Sequence, residues 1–257
     1  MRLALHAEWT KLRTVPGPAW LLVATILLTA GLSAVAGAAV TCGTGCTQDP
    51  GKISLTGIQL GQALVAALAV LMVTGEYSTG MIRTTLAAMP RRCSVLTAKA
   101  VVVTGVVLAA GTVAVVGSLV AARLSLRGNG FTAAHGRPLL SLADATMLRA
   151  AAGSVVYLAL IALLSLGVAI AVRDSAAAIG VVLGLLYLFP ILAGAVSDPH
   201  WQRRLQRYAP TNAGQAIEST VGLRTLPISP WAGLGVLALW AAAALIGGAL
   251  VLRLRDA

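Results

Sequence analysis

The side chains that could do chemistry in this chain are few, and their spacing excludes more than it offers. Gly51-Lys52-Ile53 holds the one Gly-Lys step, and it lacks both the upstream glycine and the following Ser/Thr that a phosphate-binding loop needs. His6, His135 and His200 all fall in predicted loops, so Ser154 and Ser165 have no local base and no metal ligand nearby. Those serines read as helix-packing residues. Cys42 and Cys46 lie four positions apart in a polar stretch, with no histidine close to them. A metal centre wants more ligands. A short disulfide on the oxidising side of a membrane and two free thiols both remain open for this pair. Cys93 stands alone beside Arg91 and Arg92 and reads as a membrane-edge residue.

The elements that would carry these residues follow from composition. Of 257 residues, 58% are apolar and 11% are charged, against about 25% charged in a typical soluble domain. Mean hydropathy is +0.88. A water-soluble globule of this size could not hide so much Ala, Val, Leu and Ile, and intrinsic disorder is excluded by the same figures. The fold class expected is an all-α integral membrane protein. Nineteen basic against eight acidic residues give a net charge of +11, which in this setting belongs to lipid headgroups and topology. The arginines are scattered over loops with few aromatic neighbours, so no nucleic-acid partner is expected.

Six stretches without Asp, Glu, Lys, Arg or His are predicted to span: 20–40, 54–75, 100–122, 150–172, 175–197 and 231–252. Each is long enough for a hydrocarbon core of about 30 Å, and helices are the form that satisfies their backbones there. The first run is longer than a secretory signal core of about 7–15 residues, so an uncleaved first span is expected. Residues 1–257 are expected to form one transmembrane domain. Pro190 should bend the fifth span and leave backbone groups for neighbours to satisfy. Gly57/Gly61 and Gly180/Gly184 have the spacing that permits close helix approach. Ten basic residues fall on the side of the termini and nine on the other. The terminal side is the shorter in total and so the denser in charge, which places both termini inside. Connection 198–230 should form an interfacial helix with Trp201, Leu205 and Tyr208 at headgroup depth; a lid over an exit is the functional alternative.

No span carries an ionisable residue at its middle, which disfavours a proton- or ion-coupled mechanism. Energy for uphill transport would then enter through another chain. The segment following the second span is the most informative in the chain. Met81, Ile82, Thr85, Leu86 and Met89 share one helical stripe, Ser78 or Thr79 can cap its start, Glu76 stands near its positive end, and Pro90 stops it before Arg91 and Arg92. Pattern alone leaves two readings: a helix lying on lipid, or one docked in a groove of a cytoplasmic partner.

The run Gly75-Glu76-Tyr77-Ser78-Thr79-Gly80-Met81-Ile82-Arg83-Thr84-Thr85-Leu86, followed by Pro90-Arg91-Arg92 and Lys99, resembles the ABC-2 type permeases of ATP-binding-cassette exporters, especially actinobacterial ones. Glu8–Arg13 is similar to their N-terminal interfacial helix, and Tyr208–Ala213 to their outer loop. The resemblance implies a cytoplasmic coupling helix at 76–89 contacting a separate ATP-binding subunit through Glu76, Tyr77, Thr79, Met81, Ile82, Arg83 and Leu86. It also implies a second permease copy or related permease, with ATP and Mg bound on the partner subunit and no cofactor in this chain. The chain would then be no enzyme itself but part of an exporter in the bacterial plasma membrane. Gln59, Gln62, Tyr157 and Ser165 are candidate lining of the substrate path, and a mostly apolar lining favours a hydrophobic or amphiphilic cargo. The competing classes are a membrane interaction or signalling protein and, with no ligand or acid–base cluster to support it, a membrane-embedded enzyme.

Overall fold

The computed structural model describes residues 10, 14, 16–42, 48–78, 80, 92–126, 129, 131, 144–196 and 198–255. Thr79, Met81, Ile82, Arg83, Leu86 and Cys46 lie outside them. Six helices are long and apolar enough to cross a membrane. They are α1 (Pro16–Ala39), α3 (Ile58–Ser78), α4 (Arg92–Leu126), α5 (Ala145–Val172), the run from α6 (Ser175–Leu183) through a π-helical turn (Gly184–Leu188) to α7 (Phe189–Ala195), and α10 (Pro230–Arg255). Short helices join them: α2 (Pro50–Ser54), α8 (Pro199–Tyr208) and α9 (Pro210–Gly214), the last running into a 3-10 turn (Gln215–Glu218). No strand occurs among the described residues. The six-span, all-helical expectation therefore holds for them.

Of the differences from the span boundaries read off the sequence, those of the second and third spans have clear physical reasons. The second span starts at Ile58, because Asp49 caps a separate helix α2 and a turn at 55–57 intervenes. The third runs over 35 residues, from Arg92 through Lys99 to Leu126; a charge ends an apolar run in sequence but not a helix whose charge finds a partner inside the protein.

Helix α5 is the hub, packing on α3, α4, α6 and α10, while α1 packs chiefly on α4. The buried residues of α1 are Thr25, Thr29, Ser33 and Gly37, one every four positions. Its large apolar side chains, such as Leu27 and Val35, face outward. That inversion suits lipid, where small residues let helix backbones approach. Gly57 and Gly61 use the approach fully: a Cβ at Gly57 would lie 1.8 Å from the Thr29 carbonyl oxygen, and one at Gly61 2.4 Å from Thr29 Oγ1. The Gly57 amide donates to Ser33 Oγ at 3.0 Å. Nothing lies within 4 Å of the same point on Gly180 or Gly184, so this second pair makes no close crossing among the described residues. Gly57→Val should therefore destabilise the detergent-solubilised protein by about 2–3 kcal/mol, and Gly180→Val should leave its melting temperature unchanged. Equal melting of the two variants would contradict this packing.

The two ends of the bundle are tied differently. At one end Cys42 is disulfide-bonded, its amide donates to the Asn129 carbonyl at 2.8 Å, and Asn129 Nδ2 closes the end of α1 by donating to the Gly37 and Ala38 carbonyls. Cys93 opens the opposite end of α4, roughly 50 Å away, far beyond the reach of about 7 Å that a disulfide requires. At the other end, the short link between α5 and α6 puts Arg173 in the left-handed region at φ 65°. Its guanidinium lies over the Tyr77 ring.

Candidate functional site

Two groups of polar side chains sit inside this apolar bundle, one toward each end. The first is where α3 finishes. The helix continues through Ser78, so Glu76 and Tyr77 belong to its last turns instead of opening a new helix. Glu76 is buried and receives Lys99 Nζ at 2.8 Å, and Lys99 also donates to the Met72 carbonyl at 3.2 Å. Ser175 donates to Thr74 Oγ1 at 3.0 Å, tying α6 to α3 beside this pair. Lys99, seven residues into α4, is thus the cation that holds α3 and α4 together where residues 79–91 join them.

The second group is a ladder of amides and hydroxyls toward the Asp49 end. Tyr157 on α5 donates its hydroxyl to Gln62 Oε1, and Tyr187 in the π-helical turn donates to the Gln59 carbonyl. Gln59 Nε2 donates to Gln215 Oε1 at 2.8 Å. Three of the four predicted path residues, Gln59, Gln62 and Tyr157, therefore come together. Ser165 does not join them: it is fully buried and turns its hydroxyl back to the Ile161 carbonyl of its own helix.

The element that completes the ladder is the segment from α9 to Thr220, which the sequence presents only as part of a connection. Ala209, Pro210, Thr211, Ala213 and Gly214 are buried, and Gly214 lies against the Tyr157 ring in mid-α5. From there the chain climbs α5: Ile217 meets Gly153, and the Ser219 carbonyl accepts from Arg149 Nη2 at 2.5 Å. Irregular backbone at this depth survives only where protein surrounds it, and small residues make the fit, since a Cβ on Gly233 of α10 would lie 2.0 Å from the Ala213 carbonyl oxygen. Pro190 explains one contact. Lacking an N–H, it leaves the Leu186 carbonyl without its helical donor, and Thr211 Oγ1 supplies one at 2.9 Å. The backbone vacancy expected at Pro190 is thus filled by this inserted segment.

Glu218 ends the 3-10 turn and is buried, and its Oε1 has no hydrogen-bond partner among the described residues. Burial pushes its carboxyl up to about 8, with Lys52 opposing. The reading that no span carries an ionisable residue at its middle stands beside this acid, which lies on the connection between the fifth and sixth spans. The Nε2 atoms of Gln62 and Gln215 also lack hydrogen-bond partners among the described residues, so the ladder keeps polar capacity that its own residues do not use. It abuts a cleft of about 270 Å³ lined by Lys52, Gln206, Asn212, Gln215 and Ser219. Sequence reasoning missed Thr211, Gln215 and Glu218; the signal available was an island of Ala209, Ala213, Ala216 and Ile217 inside a connection otherwise rich in arginine.

The raised Glu218 value fixes a pH dependence. The folded protein prefers the protonated acid, so this contribution to stability is complete below the ordinary value of 4.5 and is lost as pH climbs through about 8. The loss amounts to roughly 3–5 kcal/mol. Glu218→Gln keeps the shape without the charge. Its melting temperature should hold between pH 5 and pH 9 while that of the unaltered protein falls, and parallel curves would contradict the assignment.

No group of three or more His, Cys, Asp or Glu that could hold a metal ion occurs among the described residues. No protein-family model matches the chain, and no curated protein matches it either.

Proposed function

We propose that this chain is the permease subunit of an ATP-binding-cassette exporter of the ABC-2 type. The observation that carries the reading is the motif Gly75–Leu86 with Pro90-Arg91-Arg92, set where the second spanning helix ends and the third begins. In this reading the coupling helix lies on the cytoplasmic side and follows the end of α3 at Ser78 instead of opening at Glu76. A separate subunit binds ATP and Mg, and its closure is passed through residues 79–91 to α3 and α4, which the Lys99–Glu76 pair joins. Two permease copies, or this one and a related chain, enclose the path. Both termini face the cytoplasm, and the Asp49 end faces outward, which agrees with a disulfide at Cys42. The ladder of Gln59, Gln62, Gln215 and Tyr157 would be the polar constriction near the exit. A hydrophobic or amphiphilic cargo would pass the apolar remainder.

The test is co-purification with an ATP-binding subunit, followed by the ATPase rate of that subunit. Glu76→Ala is a poor probe of coupling, because it also removes a buried ion pair. Arg83→Ala with Leu86→Ala is the better one. This variant should fold as the unaltered chain does, yet lose most complex formation or leave ATP turnover insensitive to the permease. Unchanged assembly and turnover would refute the coupling role.

A further inference from the structure

We propose that the recess between α7, α8 and α10 binds the phosphate headgroup of an anionic phospholipid from the leaflet at that end of the bundle. The recess measures about 880 Å³, and its lining includes Phe189, Trp240, Arg203, Arg204, Leu205 and Arg207. Its two levels differ in chemistry. Phe189 and Trp240 meet edge to face with ring centres 6.3 Å apart and make an apolar floor. The neighbouring Leu188, Ile191 and Leu192 are exposed, so this floor continues into surface that acyl chains would cover. Phe189 lies six residues before the end of α7, about 9 Å down the helix, as deep as the first carbons of a lipid tail.

Above the floor runs α8, on whose surface Arg207 neighbours both Arg203 (i, i+4) and Arg204 (i, i+3). Trp240 Nε1 clamps the helix end by donating to the Tyr208 carbonyl at 3.0 Å. Arg207 is positioned by the Pro227 carbonyl, which accepts from its Nε and Nη2 at 3.3 and 3.2 Å. Arg204 rests on the Trp201 ring at 5.5 Å. A guanidinium carries five donors, so Arg207 retains three beyond those two. No Asp or Glu is among the described residues that line the recess; Asp198 instead caps the start of α8 through the His200 amide. Three cations over an aromatic floor match a phosphodiester standing on acyl chains, and arginine is the side chain best suited to phosphate. A free anion would leave the floor unused, and a choline headgroup would bring a cation against the arginines. The inference does not rest on the exporter reading, since it holds whichever way the chain faces.

Native mass spectrometry of the purified full chain in detergent, offered equal phosphatidylglycerol and phosphatidylcholine, tests it. Phosphatidylglycerol should be retained several-fold over phosphatidylcholine. The preference should fall to parity in Arg203→Gln/Arg204→Gln/Arg207→Gln. It should persist in Arg224→Gln, which alters an exposed turn outside the recess, and in a triple lysine variant that keeps the charge. Equal retention of the two lipids by the unaltered chain overturns the proposal without any variant. Displacement of phosphatidylglycerol by millimolar inorganic phosphate, or a preference that survives the triple glutamine change, overturns it as well.

Discussion

Lys99→Ala should lower the folding free energy by about 3–5 kcal/mol, the largest single-residue effect expected in this chain. The ammonium lies 2.8 Å from Glu76, and both side chains are at most 5% exposed. Removing it strands a carboxylate in a medium that solvates charge poorly, so the loss is mostly the penalty of what remains. The double variant Glu76→Gln/Lys99→Met follows from the same reasoning. It takes away both charges and fills similar volume, and such replacements are often neutral or better. It should recover most of the lost stability. Melting temperatures in detergent for the two variants decide the matter: a double variant no more stable than Lys99→Ala would mean that the pair does not hold α3 to α4. The double variant is also the informative background for coupling, because it separates the anchoring of the helix ends from contact with a partner subunit.

Asp49→Ala should cost about 2–4 kcal/mol and free the inserted segment first. One carboxylate serves two elements. It caps α2 by accepting from the Gly51 and Lys52 amides at 2.9 and 3.3 Å. It also accepts from the Thr220 and Val221 amides at 2.6 and 2.9 Å and from the Thr220 hydroxyl. Thr220 is held so closely that a Cβ on Gly51 would lie 2.3 Å from its methyl group. Without the carboxylate the climb from Gln215 to Val221 loses its upper anchor. Amide hydrogen exchange in peptides covering residues 209–221 should then rise more than exchange in α5. Asp198→Ala is the comparison, since that carboxylate caps a helix through the His200 amide at 2.7 Å, and such a loss is worth about 1 kcal/mol. Equal effects of the two substitutions would contradict the dual role of Asp49.

Much of the fold is legible in the sequence, because lipid leaves few options for a charge-free run of twenty residues. The spans were readable for that reason, and α8 from the recurrence of Trp201, Leu205 and Tyr208. The vacancy at Pro190 was readable too, though not the donor that fills it: Thr211 lies 25 positions from Leu186. What local pattern does not show is pairing over distance. Gln59 and Gln215 are 156 positions apart, and a buried acid at Glu218 is acceptable only because α5 and the inserted segment enclose it. The same limit shortened the third span at Lys99, whose partner lies 23 residues earlier on another helix. The start of α3 was misread because the turn at 55–57 carries Leu55 and precedes Ile58, so the apolar run continues through a break in the helix. Of the proposed site, Gln59, Gln62 and Tyr157 were found as polar residues inside apolar spans, a signal that Ser165 shares while serving only its own helix.

Under the proposed exporter function, force reaches these spans from an ATP-hydrolysing companion. The distance between fluorophores carried on a non-canonical amino acid at position 224 of the two proposed permease copies reads this directly, in the proposed complex with an ATP-binding subunit. Trapping that subunit with ATP, Mg and vanadate should shift the distance at the Asp49 end, and release of the nucleotide should restore it. A distance that stays the same through trapping and release would contradict the account.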